Sequence, residues 1–238
     1  MKAVLKSDNV GCNPGVEDFE NWVDGGRECI AVKTFRSRKI FKTAPTLVIA
    51  VHGDGASGSA ADRAPKVWID QIEEHILHRN DFINSDTLIV VVARLGYPID
   101  GVGRSTGHRP DPNGRRGTYR PEYINPLFHA VKRLAVKYRA KKVVGWGASG
   151  GSAMLAIGSG LTSSTPFDQL LLGVCPCDVS SWESGHDWQN IGAYSPLDYA
   201  DKIPKETDII LIVGRNDTNT SPSLSESFLK VRKKAGGA

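Results

Sequence analysis

The chain has 238 residues, 40% hydrophobic and 24% charged, a balance that suits one ordinary globular domain spanning 1–238. Lys and Arg number 30 against 26 Asp and Glu, and the excess sits in short clusters (Arg115-Arg116, Lys141-Lys142, Lys230 to Lys234) that read as solvated faces and argue against a nucleic-acid surface. No apolar run approaches the roughly 18 to 20 residues that a membrane span needs.

The first residues, MKAVLKSDNVGC, lack the apolar core of a secretory signal. A cytoplasmic protein is therefore expected, or an exported one if the start was trimmed. Four cysteines are too few for a disulfide scaffold, although Cys12 and Cys29 are a candidate pair in an exported protein.

In chain order, a strand is predicted over Cys29 to Phe35, followed by a basic, turn-like stretch from Arg36 to Lys42. Thr46 to Val51 is a short apolar run suited to a strand buried on both faces. Pro65 fits the first turn of a helix through Ile69, Ile72 and Ile76. Thr87 to Val92 is a second buried strand, after which Gly96 to Pro121 is rich in Gly, Pro and Arg with no clear period. Ile124, Leu127, Phe128, Val131, Leu134, Ala135 and Tyr138 share one face of a helix. Three more apolar strands follow, Lys142 to Trp146, Gln169 to Val174 and Asp208 to Val213. Ser221-Pro222 then opens a helix through Leu224, Phe228 and Val231. This alternation predicts a mostly parallel central sheet with helices on both faces.

The segment Lys142-Val-Val-Gly-Trp-Gly-Ala-Ser-Gly-Gly151 places Ser149 between glycines at a strand-to-helix junction, the pattern of a nucleophile elbow. A serine on so tight a turn adopts strained angles that only small neighbours accommodate. Gly145, Gly147 and Gly150 also satisfy a dinucleotide fingerprint. Context argues against that reading: the motif lies mid-chain, and Asp168 precedes the next strand where an acid at its end is required.

The glycine-rich turn His52-Gly-Asp-Gly55, after an early strand, is where a second oxyanion donor is expected. The donors are assigned to the backbone N–H groups of Gly150 and Asp54, with Gly55 the near alternative. His52 is read as structural at the edge of the pocket, beside Gly53. Asp217, just past the last apolar strand, is the acid that would orient a histidine; Asp178 is the fallback. Both also suit a turn or N-cap aspartate.

No histidine follows Asp217. Three readings stay open: a final strand and histidine-bearing loop lie beyond Ala238, the base is relocated, or the chain is a non-catalytic descendant that binds without turnover. For a relocated base His186 leads, with His108 behind it; His129, beside Phe128, is expected to be packed. The loops 94–120 and 180–194 are expected to frame the pocket, where Tyr97, Trp182 and Trp188 either line an acyl site or pack a small cap. Arg94, Arg104 and Arg109 are read as solvated, with an acidic substrate group as the alternative. Cys175 and Cys177 with His186 are a weak metal pattern, and no metal is expected.

Taken together, APTLVIAVHGDG at 44–55, ARLGYP at 93–98, GRSTG at 103–107, VVGWGASGG at 143–151, CPCD at 175–178, and SPLDYADKIP and IILIVGRNDTNTSPSLS between 195 and 225 resemble bacterial α/β-hydrolases of the esterase, dienelactone-hydrolase and prolyl-oligopeptidase type. The resemblance implies the α/β-hydrolase fold and hydrolysis of an ester, less so a peptide, through a Ser149 acyl-enzyme without cofactor. It maps the acid onto Asp217 and the oxyanion donors onto the turns at Asp54 and Gly150. The family's C-terminal histidine matches no position in this sequence.

Overall fold

The computed structural model describes residues 17–37, 46–54, 63–83, 85–108, 119–162, 164–184 and 194–237. Seven strands form one sheet: β1 (Trp22–Asp24), β2 (Cys29–Arg36), β3 (Thr46–Val51), β4 (Thr87–Val92), β7 (Lys142–Ala148), β8 (Gln169–Gly173) and β9 (Asp208–Ile212), in the order β1-β2-β4-β3-β7-β8-β9. A separate two-strand ribbon joins β5 (Pro98–Ile99) to β6 (Gly103–Arg104).

β1 and β2 pair antiparallel, β2 runs antiparallel to β4, and every remaining pair is parallel. The register of β3 with β7, from Thr46↔Lys142 to Val51↔Gly147, brings their carboxyl ends out side by side. All five apolar strands appear where the sequence predicts them, β3 and β4 with the expected ends and β7, β8 and β9 with one end shifted by one or two residues. The short β1 has no counterpart in the sequence pattern. The loop expected over 94–120 is not wholly irregular, because β5 and β6 pair within it. Its stretch 109–118 lies outside the described residues.

The helices are α1 (Ala64–His75), α2 (Asn80–Ile83), α3 (Pro121–Tyr138), α4 (Gly150–Leu161), α5 (Val179–Ser184) and α6 (Pro222–Lys234). In α3 the predicted face is buried: Ile124, Leu127, Phe128, Val131, Leu134 and Tyr138 join one core with Leu47, Ile49 and Val51 of β3. α4 is buried from Gly150 to Ser159, so its small residues are what allow it to sit between the sheet and α3. A Cβ on Gly158 would stand 2.1 Å from Cε2 of Phe128, which fixes how close the two helices come.

α6 starts with Pro222 in its first turn and packs Leu224 and Phe228 inward. Arg232 departs from the solvated reading of Lys230 to Lys234. It is fully buried and donates to the carbonyls of Ile203, Pro204, Lys205 and Thr207, tying the last turn of α6 to the segment entering β9. β9 is the sheet's edge among the described strands, and Ile210 and Ile212 stand exposed on it.

Phe228→Ala, which removes a fully buried ring joining α6 to the core, is expected to cost about 3–5 kcal/mol. Equilibrium urea unfolding of the two proteins measures it.

Candidate active site

Ser149 joins β7 to α4 with φ 50° and ψ −120°, a conformation that costs a non-glycine residue of order 1–3 kcal/mol. It persists because its neighbours leave no alternative path. A Cβ on Gly147 would lie 2.6 Å from Cα of Ser152, one on Gly151 2.2 Å from the Val51 carbonyl oxygen, and one on Gly150 2.4 Å from a carboxylate oxygen of Asp54. The Ser149 N–H donates to the Gly173 carbonyl at the end of β8 (2.9 Å), and the Ser152 hydroxyl donates to the same oxygen (2.9 Å). Ser149 itself is half-buried at this junction.

The turn after β3 passes over this serine. A Cβ on Gly53 would be 3.1 Å from Ser149 Cβ and 3.8 Å from its Oγ, a tight pass that a larger residue would make only by pushing Ser149 or the Ala148 carbonyl aside. His52, fully buried, accepts the Arg94 N–H at Nε2 (3.1 Å), which leaves the proton on Nδ1 to donate to the Gly53 carbonyl (2.7 Å). The ring is thus a strut of the turn, in keeping with its structural reading from the sequence.

Beneath the turn lies a buried ion pair. Asp54 is 2.7 Å from Nη1 of Arg94, accepts the Tyr119 hydroxyl (2.6 Å), and through its main-chain carbonyl accepts the Tyr97 hydroxyl (2.9 Å). Burial is the largest influence and opposes the Arg94 charge, but the Asp54 carboxylate together with the Tyr97 and Tyr119 hydroxyls outweighs it and holds the guanidinium's pKa above its ordinary value. Burial first, and the Asp54 charge second, push the Tyr119 phenol well above its usual range, so it remains a donor. Arg94 is therefore neither solvated nor a surface contact. Tyr97 is a prop: it is buried, packs on the His52 ring at 4.5 Å and lies under the Arg94 guanidinium. Sequence reasoning assigned neither Arg94 nor Tyr119 to this network. A buried Arg just past β4 was signalled only by its position after six apolar residues, Leu88 to Ala93.

Asp217 lies in the turn after β9, on the same carboxyl edge and two strands from β7. Its carboxylate accepts the N–H groups of Asn219 (2.8 Å) and Thr220 (2.9 Å) and the Thr220 hydroxyl (2.8 Å). The Thr220 N–H is the main cause that holds this carboxyl below its ordinary pKa. Trp182 is buried in α5 and donates its indole N–H to the Asn219 carbonyl (2.8 Å), bracing the Asp217 loop. Asp178 is occupied as a helix cap, accepting the N–H (3.2 Å) and hydroxyl (2.7 Å) of Ser181.

His129 corrects the expectation of a packed ring: it is half-exposed, 3.6 Å from Asp24 on β1. His108 is exposed, two residues past Thr106, which bonds to Cys29 on β2, three strands from β7. Gly55, Arg109, His186 and Trp188 lie outside the described residues. Arg104, at the end of β6, donates to the Gly96 carbonyl.

The dinucleotide reading is corrected by the strand itself. Gly145 sits inside β7, packed on Phe167 and Leu170, so the first fingerprint glycine is not in a phosphate-binding turn. Asp168 spends its carboxylate on the Val143 N–H (2.7 Å). Cys175 and Cys177 are joined to each other in a disulfide, so they do not stand as two thiolate ligands. Cys29 is also disulfide-bonded, while Cys12 lies outside the described residues.

Solved structures with a similar fold include an esterase of Pyrococcus furiosus, with a TM-score of 0.60 at 15% identity, the match covering 90% of this chain and 77% of the esterase. The acylaminoacyl peptidase of Pyrococcus horikoshii matches with a TM-score of 0.57 at 14% identity over 91% of this chain and 34% of its own. A puromycin-hydrolysing peptidase of Mycobacterium tuberculosis gives 0.58 at 16%, over 88% and 32%. The chain has the α/β-hydrolase fold. It spans about three quarters of the esterase and about a third of each peptidase. No family model and no curated protein matches the sequence. Among the described residues no helix is long and apolar enough to cross a membrane.

Two measurements check this site. Arg94→Met strands the buried Asp54 charge and is expected to lower stability by about 3–5 kcal/mol; urea unfolding reads it, and a loss below about 1 kcal/mol would contradict the pairing. For Asp217 the folded pKa is depressed, so its contribution is present above the unfolded value near 4 and lost as pH falls through the folded value. Thr220→Val is expected to move the Asp217 titration upward, toward the ordinary range, as followed by carboxyl NMR.

Proposed function

We propose that the protein is a serine hydrolase that cleaves a carboxylic ester through an acyl-enzyme on Ser149. The observation that carries this is the strained, half-buried Ser149 at the β7–α4 junction, with the Gly53 turn passing over its hydroxyl. Residues held in such sparsely populated backbone conformations cluster at active sites.

In this mechanism Ser149 Oγ attacks the ester carbonyl while a histidine takes its proton. The N–H groups of Gly150, the first residue of α4, and of Asp54 donate to the developing oxyanion, with Gly55 the alternative second donor. Asp217 orients the histidine and stabilises its imidazolium. His52 does not serve as this base, because both ring nitrogens are engaged in holding the turn. Within 1–238, His186 is the candidate. Carboxylic ester is preferred to amide because the Pyrococcus furiosus esterase is matched over most of its length, whereas the peptidases are matched over a third of theirs. Residues 94–108, which follow β4, and α5, which follows β8, leave the carboxyl edge of the sheet, and in this reading they frame the substrate.

A fluorophosphonate probe applied to the natural full-length protein is expected to label Ser149, and Ser149→Ala to abolish the labelling. Release of product from an activated ester in a burst equal to the labelled fraction supports the acyl-enzyme. A folded protein that retains small esters without labelling or burst overturns the hydrolase reading in favour of a binding protein. Loss of labelling in His186→Ala, with Ser149 still in its fold, assigns the base.

A further inference from the structure

At the end of β8 the chain makes a short detour that touches both halves of the site. Gly173 receives two hydrogen bonds from the elbow, from the Ser149 N–H and the Ser152 hydroxyl. Val174 follows with φ 42°, a left-handed conformation that is a genuine outlier for a β-branched residue, and donates its N–H to the Ile212 carbonyl at the end of β9 (2.8 Å). Cys175 and Cys177, both buried, then close a disulfide across Pro176 with their Cα atoms 5.0 Å apart. The Cys177 carbonyl accepts the Leu197 N–H (2.8 Å), and α5 starts two residues later, carrying Trp182 to the Asn219 carbonyl.

The same ten-residue path from Gly173 to Trp182 thus holds the serine at one end and the Asp217 loop at the other, by way of Ile212 and Asn219. A disulfide that closes so short a loop removes little chain entropy, since that contribution grows with loop length. What it does instead is fix local backbone geometry. Proline between the cysteines adds to this by fixing its own φ. An observed outlier held by more constraints than folding needs points to a function for the strain.

We infer that the Cys175–Cys177 disulfide is a positioning element for the serine and acid of the site. It holds Val174 in its left-handed turn, and through Gly173 and Trp182 it sets where Ser149 and Asp217 stand relative to each other. The inference rests on the hydrolase reading for its catalytic consequence, and on the hydrogen bonds alone for its structural one.

The test compares the natural protein, the same protein reduced by a dithiol, and Cys175→Ala/Cys177→Ala. In thiol–disulfide exchange the dithiol supplies two electrons and two protons. Its thiolate breaks the S–S bond, its second thiol releases the mixed disulfide, and both cysteines end as thiols. Differential alkylation with mass spectrometry confirms reduction at 175 and 177. Amide hydrogen exchange is expected to accelerate at Ser149 and Val174 while β3 and β4 keep their protection, and reoxidation is expected to restore it. Fluorophosphonate labelling of Ser149 is expected to slow by about tenfold to a hundredfold, as misplacement of a reacting group does. Unchanged exchange at Ser149 and Val174 in both the reduced protein and the variant overturns the inference, as does uniform loss of protection across the sheet. Local exchange that responds while no form is labelled counts against the hydrolase reading and leaves the positioning role standing.

Discussion

The close approach of three backbone segments at the end of β7 is the constraint on which the site depends. β3 runs beside β7, α4 begins directly under the β3 carboxyl end, and Ser149 occupies the one residue between strand and helix. Nothing larger than glycine fits at 147, 150 or 151 without displacing main-chain atoms of Ser152 or Val51, or the Asp54 carboxylate. The serine's unfavourable φ is the geometric remainder of that packing. It is stabilised by the Gly173 carbonyl and by burial of the helix that follows. Because the sheet and α4 are rigid, the serine is placed without reorganisation.

Charge is arranged around the same point. The Asp54 carboxylate lies against Gly150, at the amino end of α4, where the helix dipole favours negative charge. An unbalanced anion there would oppose the oxyanion that the proposed reaction develops. Arg94 supplies the balance from within the protein, and Tyr119, kept protonated by burial, donates to the carboxylate as well. The pair is costly to bury, yet its surroundings also shape the turn: Arg94 donates its N–H to His52, and Tyr97 donates to the Asp54 carbonyl. Stability and site geometry are therefore carried by one network of side chains.

Much of this was legible in the sequence because it follows from local pattern. Continuous apolar runs located β3, β4, β7, β8 and β9, and the three-and-four spacing located α3, because burial on both faces or on one face leaves those periods directly. The elbow was legible for a steric reason, since so tight a turn around a serine demands glycine at 147, 150 and 151. Tertiary pairing left no such mark. Arg94, Tyr97 and Arg232 carry ordinary surface character, and only the fold reveals that each is buried against a distant partner. His129 departs in the opposite direction: its neighbour Phe128 is core, but one step along a helix turns a side chain by about 100° and out toward Asp24. β5 and β6 were missed because two residues apiece give no period to detect.

Asp217 shows how a residue with a structural role can still offer what the proposed chemistry needs. Asp217 was open to interpretation as a turn aspartate, and its three local hydrogen bonds make it one. A carboxylate offers about four acceptor sites, two on each oxygen. Two N–H groups saturate Oδ1, while among the described residues Oδ2 holds the Thr220 hydroxyl alone. The turn therefore fixes the carboxylate's orientation and favours its ionised form, and the second site on Oδ2 is the one the proposed histidine would use. Trp182 braces the loop from the side of β8 and so holds that acceptor in place.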